Sequence, residues 1–324
     1  MVKIEWFDLE SDIAKKYLEI ATEYIEKKYK KYKGDGGTLP QEMENAIFTN
    51  VKDFLKSTRS ELQKNSFFSD YMNEVGKTHS ADDALKKIFN YGYISHKDDI
   101  RHKLLASLKV DCCPYCNRQY ITSWMHHDEE EKTTADLDHF YPKKIFPLFS
   151  LSLFNFVPSC LICNSRMKHD EWKDCLYPYE ESFGTDAIFK ISSVDEADAK
   201  SDEFYQKLLD AFLGKPDGDF SIVIDNMAAN ADLHEKIENS KALFKLEEVY
   251  QTHQEYVREL LIKQRIYNEG AYLKMLKQQF DDMGVHFSES ELELFLYGFR
   301  WDNEDHHKRP LSKLTYDIVK SYTK

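Results

Sequence analysis

Two knuckle sequences decide the fold of this chain, Cys113-Pro-Tyr-Cys116 and Cys160-Leu-Ile-Cys163, with 43 residues between them. A Cys-x-x-Cys turn places two thiolates on one side of a tight knuckle, and two knuckles supply the four soft ligands that tetrahedral Zn²⁺ prefers. Helical periodicity is lost across residues 110–180, where all six cysteines lie. We therefore predict a structural zinc site that organises this segment.

The cysteines are also compatible with roles that involve no zinc. A single Cys-x-x-Cys pair is typical of a redox site as well, and all four residues could be buried free thiols. Cys112 and Cys175 are left over. Cys112 adjoins a predicted ligand and could exchange with it, although we interpret both residues as small core side chains.

A group of polar residues lies between and just after the knuckles. Asp138 offers a hard oxygen ligand, and His139 beside it is a candidate general base near neutral pH. Asn155 follows sixteen residues later, and Asn164 comes directly after Cys163. An imidazole and oxygen donors are thus threaded through the predicted zinc scaffold.

These residues resemble the motif of the HNH endonuclease family. The match consists of Asp138-His139, Asn155 and Cys160-x-x-Cys163-Asn164-x-x-x-Lys168, framed by Cys113-x-x-Cys116. The resemblance implies a ββα-metal fold, in which the first strand carries Asp-His and the helix carries the last motif residue. Asn164 stands where many members have histidine, and Lys168 stands where some have a further one. A neutral amide oxygen favours Mg²⁺ or Mn²⁺ as the catalytic ion over Zn²⁺.

The resemblance also implies roles for these side chains. His139 would deprotonate the attacking water, while Asp138 and Asn164 would hold one divalent ion against the scissile phosphate. Asn155 would orient His139, through its own amide or through the loop that it pins. Four basic residues would attract the phosphate backbone: Lys143, Lys144, Arg166 and Lys168.

Several of these residues have simpler interpretations. If 136–140 is a strand, Asp136 and Asp138 face the same side. We interpret Asp136 as a solvated or hydrogen-bonded carboxylate, with a second metal ligand as the alternative. His139 could be a core histidine, and Asn155 could cap a helix that begins near Ser159.

Composition limits the possible partners and location. The 324 residues carry 44 Lys+Arg and 57 Asp+Glu, a net charge of −13, which argues against nucleic-acid binding except through a local basic surface or a basic partner. Residues 138–173 are locally basic, with five Lys or Arg against three Asp or Glu. No stretch approaches about 18 apolar residues, and no signal sequence is evident, so we expect a cytoplasmic chain without a membrane span.

The flanking regions read as helical, which predicts a mainly α chain around the central module. We divide it into a helical N-terminal region (1–107), an HNH ββα-metal nuclease with the zinc site (108–180) and a mainly helical C-terminal region (181–324). Apolar stripes predict helices at 13–25 and 246–261, with further pieces near 41–64, 81–89 and 97–109. Alternating residues predict a short two-stranded element from 187–192 and 220–225. Ser288-x-x-Glu291 predicts a capping box, with Gly298 ending that helix and another helix after Pro310.

Three stretches resemble more specifically the HNH subunit of the Septu anti-phage defence system, which also occurs beside retrons. They are Val110-Asp-Cys-Cys-Pro-Tyr-Cys-Asn117, Asp138-His-Phe-Tyr-Pro-Lys143 and Asp305-His-His-Lys-Arg-Pro-Leu-Ser-Lys-Leu314. The resemblance implies a complex with an ABC-type ATPase subunit that controls the nuclease. The chain has no phosphate-loop motif of its own, so ATP would bind to that partner.

The sequence leaves two other functions open. The substrate could be RNA, for example transfer RNA, because the predicted site contacts mainly phosphate and metal. A zinc adaptor that only binds nucleic acid or protein would account for the four cysteines equally well. It would not account for a base beside a hard-cation site.

Overall fold

The structure is a computed structural model that describes residues 1–73, 82–94, 100–125, 131–192, 201–213, 220–268, 271–298 and 306–322. Asp305, the first residue of the Septu-like tail sequence, lies outside these ranges. None of the helices in the described ranges is both long and apolar enough to cross a bilayer.

The chain is mainly helical, as the sequence predicts. Its α-helices are α1 Asp12–Gly34, α2 Gln41–Met43, α3 Val51–Lys56, α4 Arg59–Leu62, α5 Ser66–Asn73, α6 Asp82–Ile88, α7 Tyr91–Ile94, α8 Ile100–Ser107, α9 Asp202–Phe212, α10 Ala231–Leu243, α11 Leu246–Tyr250, α12 Gln254–Asn268, α13 Ala271–Asp282, α14 Glu289–Tyr297 and α15 Ser312–Tyr322. Glu44–Phe48 and Ile162–Lys168 are wider π-helical turns.

Most of the predicted helices are present, and local signals set their ends. The stripe at 13–25 lies in α1, whose N-terminus Ser11 caps by accepting a hydrogen bond from Ala14 N. The Ser288–Glu291 capping box opens α14, and Gly298 ends it with a positive φ of 66°. The predicted helix over 41–64 is divided into short pieces.

The helix predicted over 246–261 is not continuous. It tightens into a 3₁₀ turn at Gln251–His253 between α11 and α12. The Gln251 side chain accepts a hydrogen bond from Ile222 N at 3.0 Å and donates one to Ile222 O at 2.7 Å. This tertiary contact with a strand accompanies the break, and an apolar stripe carries no signal for it.

Six short strands form three antiparallel pairs. They are β1 Ser123–Met125 with β2 Glu131–Thr133, β3 Asp136–His139 with β4 Phe156–Ser159, and β5 Ala187–Ser192 with β6 Ser221–Asn226. The third pair is the predicted two-stranded element, with its second strand starting one residue later than expected. In the second pair Asp136 lies opposite Ser159 and His139 lies opposite Phe156. Because Cys160 follows Ser159, this pairing brings the acidic strand beside the second knuckle.

Aromatic packing holds the central segment together. Tyr141 stacks on Trp172 with ring centroids 4.5 Å apart, and Phe149 packs edge-on against Phe154 at 5.1 Å. The N-terminal helices join the same core, since Tyr17 in α1 donates a hydrogen bond to Leu151 O at 2.6 Å. The central segment is thus built into one hydrophobic core with its helical surroundings.

A segment near the C-terminal end grips the first knuckle. We call residues 306–313 the clasp segment. Buried Asn117, one residue after Cys116, donates through Nδ2 to His306 O at 2.7 Å and accepts at Oδ1 from Lys313 N at 3.1 Å. Its φ of 49° lies in the left-handed region, which asparagine tolerates better than most residues. One amide therefore ties the knuckle to a segment almost two hundred residues away.

Candidate functional site

The four knuckle cysteines meet in one buried cluster. The Sγ atoms of Cys113, Cys116, Cys160 and Cys163 all lie within 4.8 Å of one another. Backbone N–H groups point at two of the sulfurs, from Arg118 to Cys116 Sγ and from Cys163 to Cys160 Sγ, both at 3.4 Å. Among the described residues this is the one group of three or more His, Cys, Asp or Glu side chains close enough to share a metal.

The protonation of these thiols favours a cation. Burial raises the pKa of Cys113, whereas hydrogen bonds, first from Cys113, lower the pKa of Cys160. Four buried sulfurs at this spacing cannot all carry negative charge without a positive partner. A tetrahedral ion such as Zn²⁺ supplies that charge, and the donor set fits it, so the cluster could hold a structural zinc.

The two remaining cysteines stand outside the cluster. Cys112 lies on a strand-like bridge with Tyr120, and its sulfur accepts a weak hydrogen bond from Asn117 Nδ2 at 3.6 Å. Burial raises the pKa of Cys112, and it raises the pKa of Cys175 to about 12. Both behave as the small core residues that the sequence indicates.

Next to the cluster, β3 and the helix Ile162–Lys168, here called the site helix, form a two-rung polar ladder. Asn164 Nδ2 donates to Asp136 Oδ2 at 3.1 Å, and Lys168 Nζ donates to Asp138 Oδ1 at 3.0 Å. Asp136 and Asp138 are two residues apart on one face of β3, and Asn164 and Lys168 are four residues apart on the site helix, so each rung joins one residue of the strand to one of the helix. The acidic face of β3 and one face of the site helix are therefore in register.

The ladder changes which carboxylate lies beside Asn164. The sequence pairs Asn164 with Asp138 around one ion, but the carboxylate in contact with Asn164 is that of Asp136, which is half-buried. Asp138 is only 2 % exposed, and both of its oxygens are engaged, Oδ1 by Lys168 and Oδ2 by the Tyr115 hydroxyl at 2.6 Å.

His139 is buried at the end of β3, where a hydrogen bond and two aromatic rings orient its imidazole. Its Nε2 lies 3.0 Å from Ser150 O. A carbonyl oxygen only accepts hydrogen bonds, so Nε2 carries the proton and Nδ1 keeps its lone pair in the neutral ring. The rings of Tyr91 and Phe156 pack perpendicular to the imidazole, with centroids 4.6 and 5.4 Å away. Burial, helped by the charge of Lys143, lowers the pKa of His139 to about 3, which keeps the ring neutral.

Asn155 is buried, and its side-chain amide connects two stretches of backbone. Its Oδ1 accepts from Tyr141 N at 2.6 Å, and its Nδ2 donates to Tyr141 O and Phe149 O, both at 3.0 Å. Phe149 immediately precedes Ser150, whose carbonyl orients His139. Of the two routes suggested for Asn155, these contacts fit the one through the loop, since its amide binds the loop backbone and not the imidazole.

The four predicted phosphate-attracting residues occupy different environments. Lys143, Lys144 and Arg166 are exposed, and Lys144 pairs with Asp170 at 3.1 Å. Lys168 is 1 % exposed, and its ammonium faces Asp138. It therefore does not lie at the surface, where a contact with phosphate would require it. The local basic surface thus rests on the first three residues.

Sequence reasoning missed two tyrosines that line the site. Tyr91 belongs to the N-terminal helices, and its pKa is raised to about 12 by burial, with a smaller contribution from the charge of Asp136. Tyr115 lies inside the first knuckle, directly before Cys116, and it stacks on Phe244 with centroids 4.4 Å apart. Neither position shows a periodic or motif signal, although Tyr115 sits between two metal-ligand candidates.

No family model matches the chain, and no curated protein or solved structure matches it either.

Proposed function

We propose that this chain is a metal-dependent HNH-type endonuclease that hydrolyses phosphodiester bonds in DNA. The observation that carries the proposal is the hydrogen bond of His139, which fixes its Nε2 proton on Ser150 O and leaves the Nδ1 lone pair available to accept a proton. A core histidine needs neither a neighbouring carboxylate–amide pair nor an adjacent basic surface. The Asp136–Asn164 rung begins three residues before His139 in the same strand, and exposed Lys143 lies four residues after it.

The donor set beside His139 suits a hard divalent cation. Asp136 offers a carboxylate and Asn164 an amide oxygen, the ligand types that Mg²⁺ and Mn²⁺ prefer over thiolates. We assign the catalytic cation to these two residues. When bound, it would neutralise charge on the phosphate and on the leaving 3′ oxygen.

The protein side chains would then perform the remaining steps. His139 Nδ1 accepts the proton of the attacking water, and Ser150 O holds the ring in the tautomer that this requires. Asn155 keeps Ser150 in place through the backbone of Phe149. Lys143 and Arg166 attract the phosphate backbone. The expected products are 5′-phosphate and 3′-hydroxyl ends.

The biological setting rests on the resemblance of residues 110–117, 138–143 and 305–314 to Septu HNH subunits. It supports a cytoplasmic role in anti-phage defence, with an ABC-type ATPase that controls cleavage. The locally basic surface within a chain of net charge −13 supports a nucleic-acid substrate that this site admits and the rest of the surface repels.

The test is cleavage by the zinc-loaded chain, alone and co-purified with its ATPase from the native host. We expect Mn²⁺- or Mg²⁺-dependent cleavage of plasmid DNA to ends that a ligase can rejoin, and none with EDTA. His139→Ala should abolish cleavage while keeping its zinc, whereas His286→Ala, an exposed histidine, should cleave normally. Equal cleavage by His139→Ala would refute the assignment. Cleavage of transfer RNA instead of DNA would make the protein a ribonuclease with the same site. Zinc-loaded protein that binds nucleic acid or protein without cleavage would support the zinc-adaptor function instead.

A further inference from the structure

The buried ammonium of Lys168 makes contacts that no exposed lysine makes. Lys168 and Asp138 are 1 % and 2 % exposed, and their Nζ and Oδ1 atoms lie 3.0 Å apart. A lysine and an aspartate are rarely buried to this degree unless each neutralises the other. The pair is therefore a fixed internal contact of the fold.

The same ammonium also holds the backbone of the candidate base. Lys168 Nζ donates to His139 O at 2.6 Å. One cation thus binds the side chain of Asp138 and the carbonyl of the next residue, at the point where β3 ends. Displacement of this ammonium would remove one of the hydrogen bonds that hold the backbone carrying the imidazole.

The second carboxylate oxygen of Asp138 accepts a hydrogen bond from a residue of the first knuckle. Tyr115, fully buried between Cys113 and Cys116, donates its hydroxyl to Asp138 Oδ2 at 2.6 Å. Because Lys168 occupies Oδ1, a cation could bind this carboxylate only after breaking a buried bond. Asp136, half-buried and in contact with Asn164, has no such barrier.

The position of Lys168 on the site helix connects the two rungs. Asn164 lies four residues before Lys168, and both side chains point at β3. The Lys168 rung is therefore a second side-chain bond, besides that of Asn164, between β3 and this short helix with wide turns.

We propose that Lys168 is a positioning residue that holds His139 and Asn164 in register, with Asp138 as its counter-ion and not a ligand of the catalytic cation. This inference rests on the proposed function for its kinetic consequence. The contacts themselves, and the choice between Asp136 and Asp138 as ligand, are testable without cleavage.

The experiment compares four variants of the full-length, zinc-loaded chain. Asp138→Asn/Lys168→Met removes the buried pair without leaving a lone charge, and Asn keeps an acceptor for Tyr115. Asp136→Asn tests the proposed ligand. Lys168→Met alone leaves the Asp138 carboxylate uncompensated and should melt earlier than the double variant. Lys173→Met, a partly exposed lysine five residues on, is the matched control.

The readouts are Mn²⁺ binding by calorimetry, hydrogen exchange of residues 136–141, melting temperature and kcat. In the double variant we expect the Mn²⁺ Kd to rise by no more than about threefold, because Asn164 shifts while the charged ligand Asp136 stays in place. We also expect faster exchange at 136–141 and a kcat at least roughly tenfold lower at saturating Mn²⁺. Asp136→Asn should instead raise the Mn²⁺ Kd by more than about tenfold, since it removes a ligand charge. Lys173→Met should match the wild type.

Two results would overturn the inference. A double variant that loses Mn²⁺ binding as severely as Asp136→Asn would make Asp138 a ligand, and one with wild-type exchange and kcat would show that Lys168 positions nothing. If the wild type itself never cleaves nucleic acid, with or without its ATPase, the proposed function fails. Mn²⁺ binding and hydrogen exchange then still decide the role of Lys168, with unchanged exchange at 136–141 counting against it.

Discussion

Acidification should weaken the fold through His139. Burial lowers the pKa of His139 to about 3, against an ordinary value of 6.5. The unfolded chain therefore takes up this proton first, and the stability that depends on a neutral imidazole is fully present above pH 6.5 and lost as the pH falls towards 3. Proton linkage between these two values gives a loss of about 2 kcal/mol between pH 7.5 and pH 5.

The assay is urea unfolding of zinc-loaded protein at pH 7.5 and pH 5, for the wild type and His139→Gln. Glutamine does not titrate, and its side-chain amide can still donate to Ser150 O. We expect the variant to lose about 2 kcal/mol less than the wild type over this range, while protonation of the cysteines affects both proteins equally. His286→Gln controls for loss of a histidine as such. The same pH dependence in the wild type and His139→Gln would show that the buried imidazole is not held neutral.

Three other substitutions test the scaffold. Cys160→Ser should reduce bound zinc, measured by mass spectrometry, and lower the melting temperature, because metal binding contributes to folding; Cys175→Ser, buried outside the cluster, should keep full zinc, and equal zinc in both would contradict the cluster. Asn155→Ala should cost roughly 3 kcal/mol in urea unfolding, since three buried bonds are lost, against about 1 kcal/mol for the helix cap Asn230→Ala. Asn117→Gly keeps the positive φ but removes the amide, so limited proteolysis should cut the clasp segment faster than in the wild type; unchanged cleavage would show that other contacts hold it.

Local chemistry allowed much of the fold to be predicted. Two Cys-x-x-Cys turns predicted the four-thiol cluster, because each knuckle brings two sulfurs together and a tetrahedral ion needs four. The capping box at Ser288 and the alternation at 187–192 set the limits of a helix and a strand from neighbouring residues. The interruption at Gln251 was not predictable in this way, because the contact that accompanies it is with a strand residue 29 positions earlier in the chain.

The candidate site was predictable in its residue types and less so in its pairings. Asp136 and Asp138 lie on one face of a strand, as expected, but the sequence does not specify which carboxylate faces Asn164. The register between β3 and the site helix decides that, and the buried ion pair of Asp138 with Lys168 is one of the contacts between the two elements. A lysine in a basic stretch reads as a phosphate contact until its burial is known. Tyr91 was not predictable either, since a helix distant in sequence brings it to His139.

The hydrogen bonds between Asn117 and the clasp segment can form only late in biosynthesis. The ribosome makes Asn117 long before His306, the residue whose carbonyl receives its amide, 189 positions later. All four cysteines have been synthesised once Cys163 is made, so the nascent chain could bind a metal ion well before the clasp segment exists, and the polar side of the first knuckle stays open until then. A ribosome stalled in between would present an intermediate in which the Asn117 amide lacks its partners in the clasp segment.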